Sequence, residues 1–383
     1  MQPVSFETTV ESAAEGDASI SAGGPIPALM RAAVYIGNQT VQVRDVETPR
    51  IGAGELLIRV EACGICHTDL KKIEYDLLPA PRIYGHETAG FVAAVGEGVT
   101  QFAIGDRVVA FHHIPCGDCF YCNRKLYAQC PIYKKVGITA GFEAAGGGFA
   151  QYVRVMDWIV RKGVEKIPDG VSFERASLVE PMNTVHKAVV QANPQPGDLC
   201  VVLGQGPIGL MFTMLLKHRG VQVVATDAMP SRMQLSRECG AMDVWNPLTT
   251  PDIVERVKAL SDGRGADLVV VAVSVPGVVD QALKLSRPGA GILLFSQTSA
   301  KERIEVSGAD ICVGERIVFG CYSASVDLQK ESASLVFNGE LPVERLISHR
   351  LPLDAISAGF ELARRPDEIS LKIIVQPHRG GPR

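Results

Sequence analysis

The stretch Leu203-Gly204-Gln205-Gly206-Pro207-Ile208-Gly209 constrains the fold more than any other. It follows the apolar run 199–203 and opens a segment of helical spacing over 207–218. A Gly-x-Gly-x-x-Gly placed between a strand and a helix is the turn that cradles a dinucleotide. Gly204 makes the tight turn, Gly206 lets a pyrophosphate approach the backbone, and Gly209 lets helix and strand pack closely. Pro207 and Ile208 complete the cofactor-binding set, and the helix N-terminus turns its unsatisfied N–H groups to the phosphates. Asp227 closes the next strand, 18 residues past Gly209 and 23 past Gly204, where an acid binds a ribose 2′-OH. Its charge repels a 2′-phosphate, which favours NAD over NADP. Arg232 is placed either to stack on adenine or to soften that discrimination.

Three glycines alone would only permit a tight junction, but the surroundings carry the same message. Strand-like and helix-like segments alternate at 221–226, 231–239, 243–245, 251–260, 267–273, 277–285, 291–295 and 317–320. Alternation of this kind predicts a doubly wound parallel sheet, here over residues 182–320. The chain has 383 residues, 46% of them hydrophobic, more than one ordinary core requires, so two domains are expected.

Between residues 30 and 181 the pattern differs. Short strands are expected at 41–44, 55–61, 88–95, 105–110 and 149–155, as in an all-β, barrel-like body. After Gly320 a helix at 330–337, a strand at 347–351, a helix at 353–364 and a strand at 371–375 are too few for a third core. They are expected to return to the β-body, making 30–181 and 321–383 one domain interrupted by the other. Residues 1–29, rich in Ser, Ala, Gly and Glu, read as a disordered extension, with Met30 a candidate translation start. They lack the basic start and apolar core of a secretory signal, and no apolar run approaches the ~20 residues of a membrane span. With a net charge of −4 and no basic stripe, neither nucleic acid nor membrane is an expected partner, and the expected location is cytoplasmic.

Ten cysteines are unevenly spread. Cys200, Cys239, Cys312 and Cys321 are scattered among apolar segments and read as small hydrophobes. Cys116, Cys119, Cys122 and Cys130 supply four thiolates within 15 residues, a set suited to a closed, structural tetrahedral zinc site. Without a secretory signal, disulfides are disfavoured. Cys130-Pro131 resembles the end of a ferredoxin iron–sulfur run, but that run has three residues before its last cysteine rather than seven, so zinc is preferred.

A second group is dispersed. Cys66-His67-Thr68-Asp69 holds a thiol, an imidazole, a hydroxyl and a carboxylate in sequence, after Gly64, which eases the backbone through a turn. Gly85-His86-Glu87 and Val179-Glu180-Pro181 follow. Cys66 and His86 with one or both of Glu87 and Glu180 would make a zinc site that keeps a position for substrate, as catalytic zinc requires. Thr68 can carry a proton, and Asp69 can orient an imidazole from behind.

In this order, Cys-Gly-Ile-Cys-His-Thr-Asp, Gly-His-Glu, the four-cysteine lobe, Val-Glu-Pro and Gly-Gln-Gly-Pro-Ile-Gly resemble the motifs of zinc-dependent medium-chain dehydrogenases/reductases. The branch is that of polyol (sorbitol) and threonine dehydrogenases, and the likeness runs from about Met30 to Gln376. It implies a GroES-like catalytic domain interrupted by a Rossmann domain. It implies Cys66 and His86 as ligands of a catalytic zinc, with Glu87 and Glu180 as alternates that complete the site with water, and a second, structural zinc in the lobe. Cys66, Thr68, His86 and Glu87 would form the catalytic set, with Thr68 taking the substrate proton, Asp69 behind the ligands and His67 at the cofactor phosphates. The implied assembly is a homodimer or homotetramer. The implied reaction is oxidation of a secondary alcohol by NAD: a polyol or sugar alcohol first, threonine or an aminocyclitol second. One position departs from the family: Lys71 stands where a histidine often passes the proton to solvent. A lysine relays a proton only when its pKa falls from ~10.4, so an exit through the ribose hydroxyl and water is expected. A non-catalytic NAD-binding redox sensor and a zinc-independent quinone reductase are alternatives that the ligand set argues against. His112, His113, Tyr75, His186 and the insert 140–146 are candidates for the substrate pocket.

Overall fold

A computed structural model describes residues 24–133, 138, 146–296 and 303–380. The glycine turn sits where the sequence places it, at the C-terminal end of strand Leu199–Leu203, the third strand of a six-stranded sheet. In spatial order the strands are Asp243–Trp245, Gln222–Thr226, Leu199–Leu203, Ala266–Val271, Ser286–Leu294 and Ile317–Gly320. Every neighbouring pair is parallel. The chain order reverses between Leu199–Leu203 and Ala266–Val271, and a crevice at that switch point is where open α/β sheets take their ligands. All five residues of Leu199–Leu203 are buried, as a strand covered by helices on both faces demands.

The first part of the chain forms two further sheets. One orders Val41–Glu47, Leu29–Tyr35 and Arg82–Ile83. The other orders Ile347–Pro352, Lys372–Gln376, Leu56–Gly64, Glu87–Val95, Arg107–Ala110 and Val164–Lys166, with Tyr152–Val155 paired to Leu56–Gly64. These sheets enclose one apolar cluster, including Tyr35, Leu56, Ile58, Ile83, Phe111 and Phe149. The body is not purely β. Helices His67–Glu74, Asp157–Lys162 and Phe173–Ser177 interrupt it, each of eight residues or fewer, too short for a helical period to stand out in the sequence.

The C-terminal tail divides. Strand Lys372–Gln376 pairs with Leu56–Gly64, and Ile347–Pro352 lies beside it. Helix Gln329–Phe337 instead packs on helix Val179–Ala192, in the cluster beneath the parallel sheet. Asn338 and Gly339 end that helix, with Gly339 at φ +76°. Helix Val179–Ala192 carries Glu180 in its first turn. The expected extension at 1–29 falls largely on residues 1–23, outside the described residues; 24–28 are exposed, and Leu29 already belongs to a strand. Of the insert 140–146, all but Gly146 also lies outside them.

Candidate metal and cofactor site

The four cysteines of the lobe come together. The ligand atoms of Cys116, Cys119, Cys122 and Cys130 all lie within 4.8 Å of one another. The Sγ atoms of Cys116 and Cys122 are 3.8 Å apart, and those of Cys119 and Cys122 are 3.5 Å apart. Two short 3-10 turns, Cys122–Arg124 and Tyr127–Gln129, fold the lobe back on itself.

A second convergence joins Cys66, His86 and Glu87, whose ligand atoms again lie within 4.8 Å. They come from two places. Cys66 is the N-cap of helix His67–Glu74 and accepts the Thr68 N–H at 3.4 Å. The stretch therefore opens a helix. Glu87 begins strand Glu87–Val95, and His86 precedes it.

His86 Nδ1 meets Asp69 Oδ1 at 3.1 Å, which leaves the other ring nitrogen for a metal. Burial opposes charge on both groups. Their mutual attraction still holds the Asp69 carboxyl below its ordinary pKa and the metal-free His86 well above its own. Lys372, which the sequence did not reveal, reaches in from strand Lys372–Gln376. Its ammonium binds Glu87 Oε1 and lies 3.4 Å from the Ile65 carbonyl. Burial alone would lower the Lys372 pKa, but Glu87, Cys66 and Glu180 raise it.

Glu180 Oε1 faces His112 Nδ1 at 3.5 Å rather than joining the Cys66, His86, Glu87 group. Burial is the main cause of a raised Glu180 pKa, about 7, to which Glu87 and Asp69 add. His112 packs 5.5 Å from the His86 ring, and His113 packs on His112 and Tyr133. The other two pocket candidates are not brought there. His186 is buried against Ser332, Arg219 and Glu331, and Tyr75 is 60% exposed at the far end of its helix.

These residues fit a divalent cation. Asp69 and Glu87 are fully buried, Glu180 nearly so, and Glu87 Oε2 and Asp69 Oδ2 lack a hydrogen-bond partner among the described residues. Buried carboxylates require a compensating charge, and thiolate, imidazole and carboxylate are zinc donors. The Gly64 backbone is not in the left-handed region, so its role is not the turn the sequence suggested. A Cβ there would stand 1.9 Å from Glu87 Oε2, so Gly64 makes room for the carboxylate.

The glycine turn is as specialised. Gly204 has φ +90°, and a Cβ on Gly209 would lie 1.9 Å from the Gly204 carbonyl. Asp227 accepts the Gln205 N–H at 2.7 Å and the Met229 N–H at 2.9 Å, fixing its carboxylate beside the turn. Gln205, a residue the motif leaves free, is fully buried. It bonds the Gly204 carbonyl, Thr213 and Ser236, and so ties the turn to both flanking helices. Arg232 lies near Gly206 and donates to the Ser370 carbonyl at 3.2 Å. Burial, then the cations Lys372, Lys71 and Arg232, hold the His67 pKa low.

Similarity to known proteins agrees with this arrangement. Residues 52–169 match the alcohol dehydrogenase GroES-like domain and residues 207–337 the zinc-binding dehydrogenase domain. The chain is 30% identical to (R,R)-butanediol dehydrogenase of Neisseria gonorrhoeae, over 91% of this chain and all of that one. The chain belongs to the zinc-dependent medium-chain alcohol dehydrogenase family. This dehydrogenase is also 29% identical to sorbitol dehydrogenase of Bacillus subtilis, over 92% and 99% of the two chains. A zinc-binding dehydrogenase of Sinorhizobium meliloti, solved with NADP, superposes with a TM-score of 0.82 at 27% identity, over 92% of this chain and all of that one. As a member of the family the protein is an oxidoreductase that works with zinc and a nicotinamide cofactor. No helix among the described residues is long and apolar enough to cross a membrane.

Proposed function

We propose that this dehydrogenase oxidises a secondary alcohol, a polyol or sugar alcohol first, to a ketone with transfer of hydride to NAD. The observation that carries the reading is the thiol–imidazole–carboxylate group of Cys66, His86 and Glu87 beside Thr68 in a chain with a Rossmann glycine turn. Cys66, His86 and Glu87 would hold one zinc, with Glu180 beside it, and the four cysteines of the lobe a second. When bound, the catalytic zinc lowers the pKa of the alcohol and the nicotinamide accepts the hydride.

The chain's own residues supply the rest. Asp69 fixes the His86 ring. Thr68 would take the hydroxyl proton and hand it on toward water rather than to Lys71. Gly204, Gly206, Pro207, Ile208 and Gly209 seat the pyrophosphate, with Arg232 and His67 near it. Asp227 takes the adenosine ribose, and its charge supports NAD over NADP. His112, His113 and Glu180 put buried polar groups beside the candidate ligands, which supports a polyhydroxylated substrate; threonine or an aminocyclitol is the second reading.

The reading extends to a cytoplasmic homodimer or homotetramer. The ten free cysteines suit a reducing compartment. The edge strand Ile317–Gly320 is paired on one side among the described residues; its first residue, Ile317, is 63% exposed and Val313, just before it in the chain, 84%. A panel of secondary alcohols offered with NAD and with NADP, followed by absorbance of the reduced cofactor, tests the reading. Turnover of polyols with NAD is expected, and inactivity on every alcohol would contradict it.

A further inference from the structure

Glu180 enters the centre from the first turn of helix Val179–Ala192 and meets a second imidazole there. Glu180 and His112 are 6% and 5% exposed, and Glu180 Oε1 stands 3.5 Å from His112 Nδ1. The histidine is firmly held. Its ring stacks on Phe111 at 5.1 Å and meets His113 edge-on at 4.6 Å, and its carbonyl accepts the Ile138 N–H at 2.9 Å. Tyr133, bonded to Ser323 at 3.1 Å, lies behind His113 at 5.4 Å. The His112 ring is 5.5 Å from that of His86, so the pair is one ring away from the candidate metal ligand.

We propose that His112 is a specificity-determining residue: with Glu180 it binds a second hydroxyl on the carbon next to the reacting carbinol. The separation of 3.5 Å is long for a charge-assisted hydrogen bond, and the two groups face each other. A carboxylate only accepts and has lone pairs to spare, and an imidazole N–H donates. A hydroxyl does both, donating to Glu180 while accepting from His112. An alkyl group in its place would leave two buried polar groups facing carbon, which is how a site rejects an analogue lacking the hydroxyl. This inference rests on the secondary-alcohol reading above.

The test compares wild type, His112→Phe and His112→Asn, all loaded with zinc and NAD, on 2,3-butanediol and on 2-butanol. His112→Phe is expected to lower kcat/KM for the diol by about 10- to 100-fold more than for 2-butanol, mainly through KM. Asparagine, whose amide stands where Nδ1 stands, is expected to recover much of the diol preference. Calorimetric binding of pinacol, a vicinal diol with no carbinol hydrogen, against tert-butanol reads the same discrimination without turnover. A diol preference that survives His112→Phe, or equal losses on both alcohols, overturns the role of His112 and leaves the dehydrogenase reading standing. Turnover of neither alcohol by wild type overturns the dehydrogenase reading, and pinacol bound no more tightly than tert-butanol overturns this one.

Discussion

Thr68 sits one residue inside the helix that Cys66 caps, close to the candidate ligands. A positioned group that takes a proton in the transition state is worth about 10²- to 10⁴-fold. Thr68→Ala is therefore expected to lower kcat by about that factor, while Thr68→Ser retains most activity and NAD binding is unchanged in both, as read by stopped-flow and by fluorescence titration of the cofactor. Glu180 makes a pH prediction. Its folded pKa, about 7, stands above the ordinary 4.5, chiefly because burial disfavours the ionised form. Ionisation therefore costs stability, and the cost grows as pH rises from 4.5 to 7 and is constant above that. In metal-free protein, Glu180→Gln is expected to raise Tm relative to wild type at pH 8 and to leave it nearly unchanged at pH 4.5. An equal shift at both values would show that the carboxylate is not destabilised by its surroundings.

Among the elements, the spacing of the glycine turn and the order of strands and helices were legible in the sequence because each follows from local periodicity and turn chemistry. Helix Pro207–His218 and strands Asp243–Trp245 and Ile317–Gly320 begin and end where their apolar pattern predicts. The four-cysteine lobe was legible for the same reason: its members are near neighbours. What spacing cannot give is a partner from far along the chain. Lys372 and Glu87 are 285 residues apart, and only the pairing of Lys372–Gln376 with Leu56–Gly64 brings them together. The facing of Glu180 to His112 is of this kind too, and so is the packing of helix Gln329–Phe337 on helix Val179–Ala192. Gly64 also carries a long-range reason, since its missing Cβ accommodates Glu87. Gly64→Ala is expected to displace that carboxylate, at a cost of about 1–3 kcal/mol, and to weaken zinc binding at the catalytic site while the lobe keeps its metal. Thermal melts and metal analysis of the purified variant check this, and an unchanged zinc content would contradict it.

On the scale of the molecule, two sheets of different construction meet across helix Val179–Ala192. Its apolar face belongs to a cluster that includes Ala89 and Val109 of the first body and Cys200 and Val202 of the parallel sheet. That helix carries Glu180 at its start, and strand Lys372–Gln376 carries Lys372 into the same centre from the tail. On the proposed function, chemistry depends on the metal of the Cys66–His86–Glu87 group and not on that of the lobe. The most direct test is zinc content and turnover measured together on wild type and His86→Ala. Wild type is predicted to hold two zinc ions per chain and to oxidise a secondary alcohol; His86→Ala is predicted to hold the lobe zinc alone, to bind NAD normally and to turn over no alcohol. Near-normal turnover by His86→Ala protein lacking the second zinc would contradict the account.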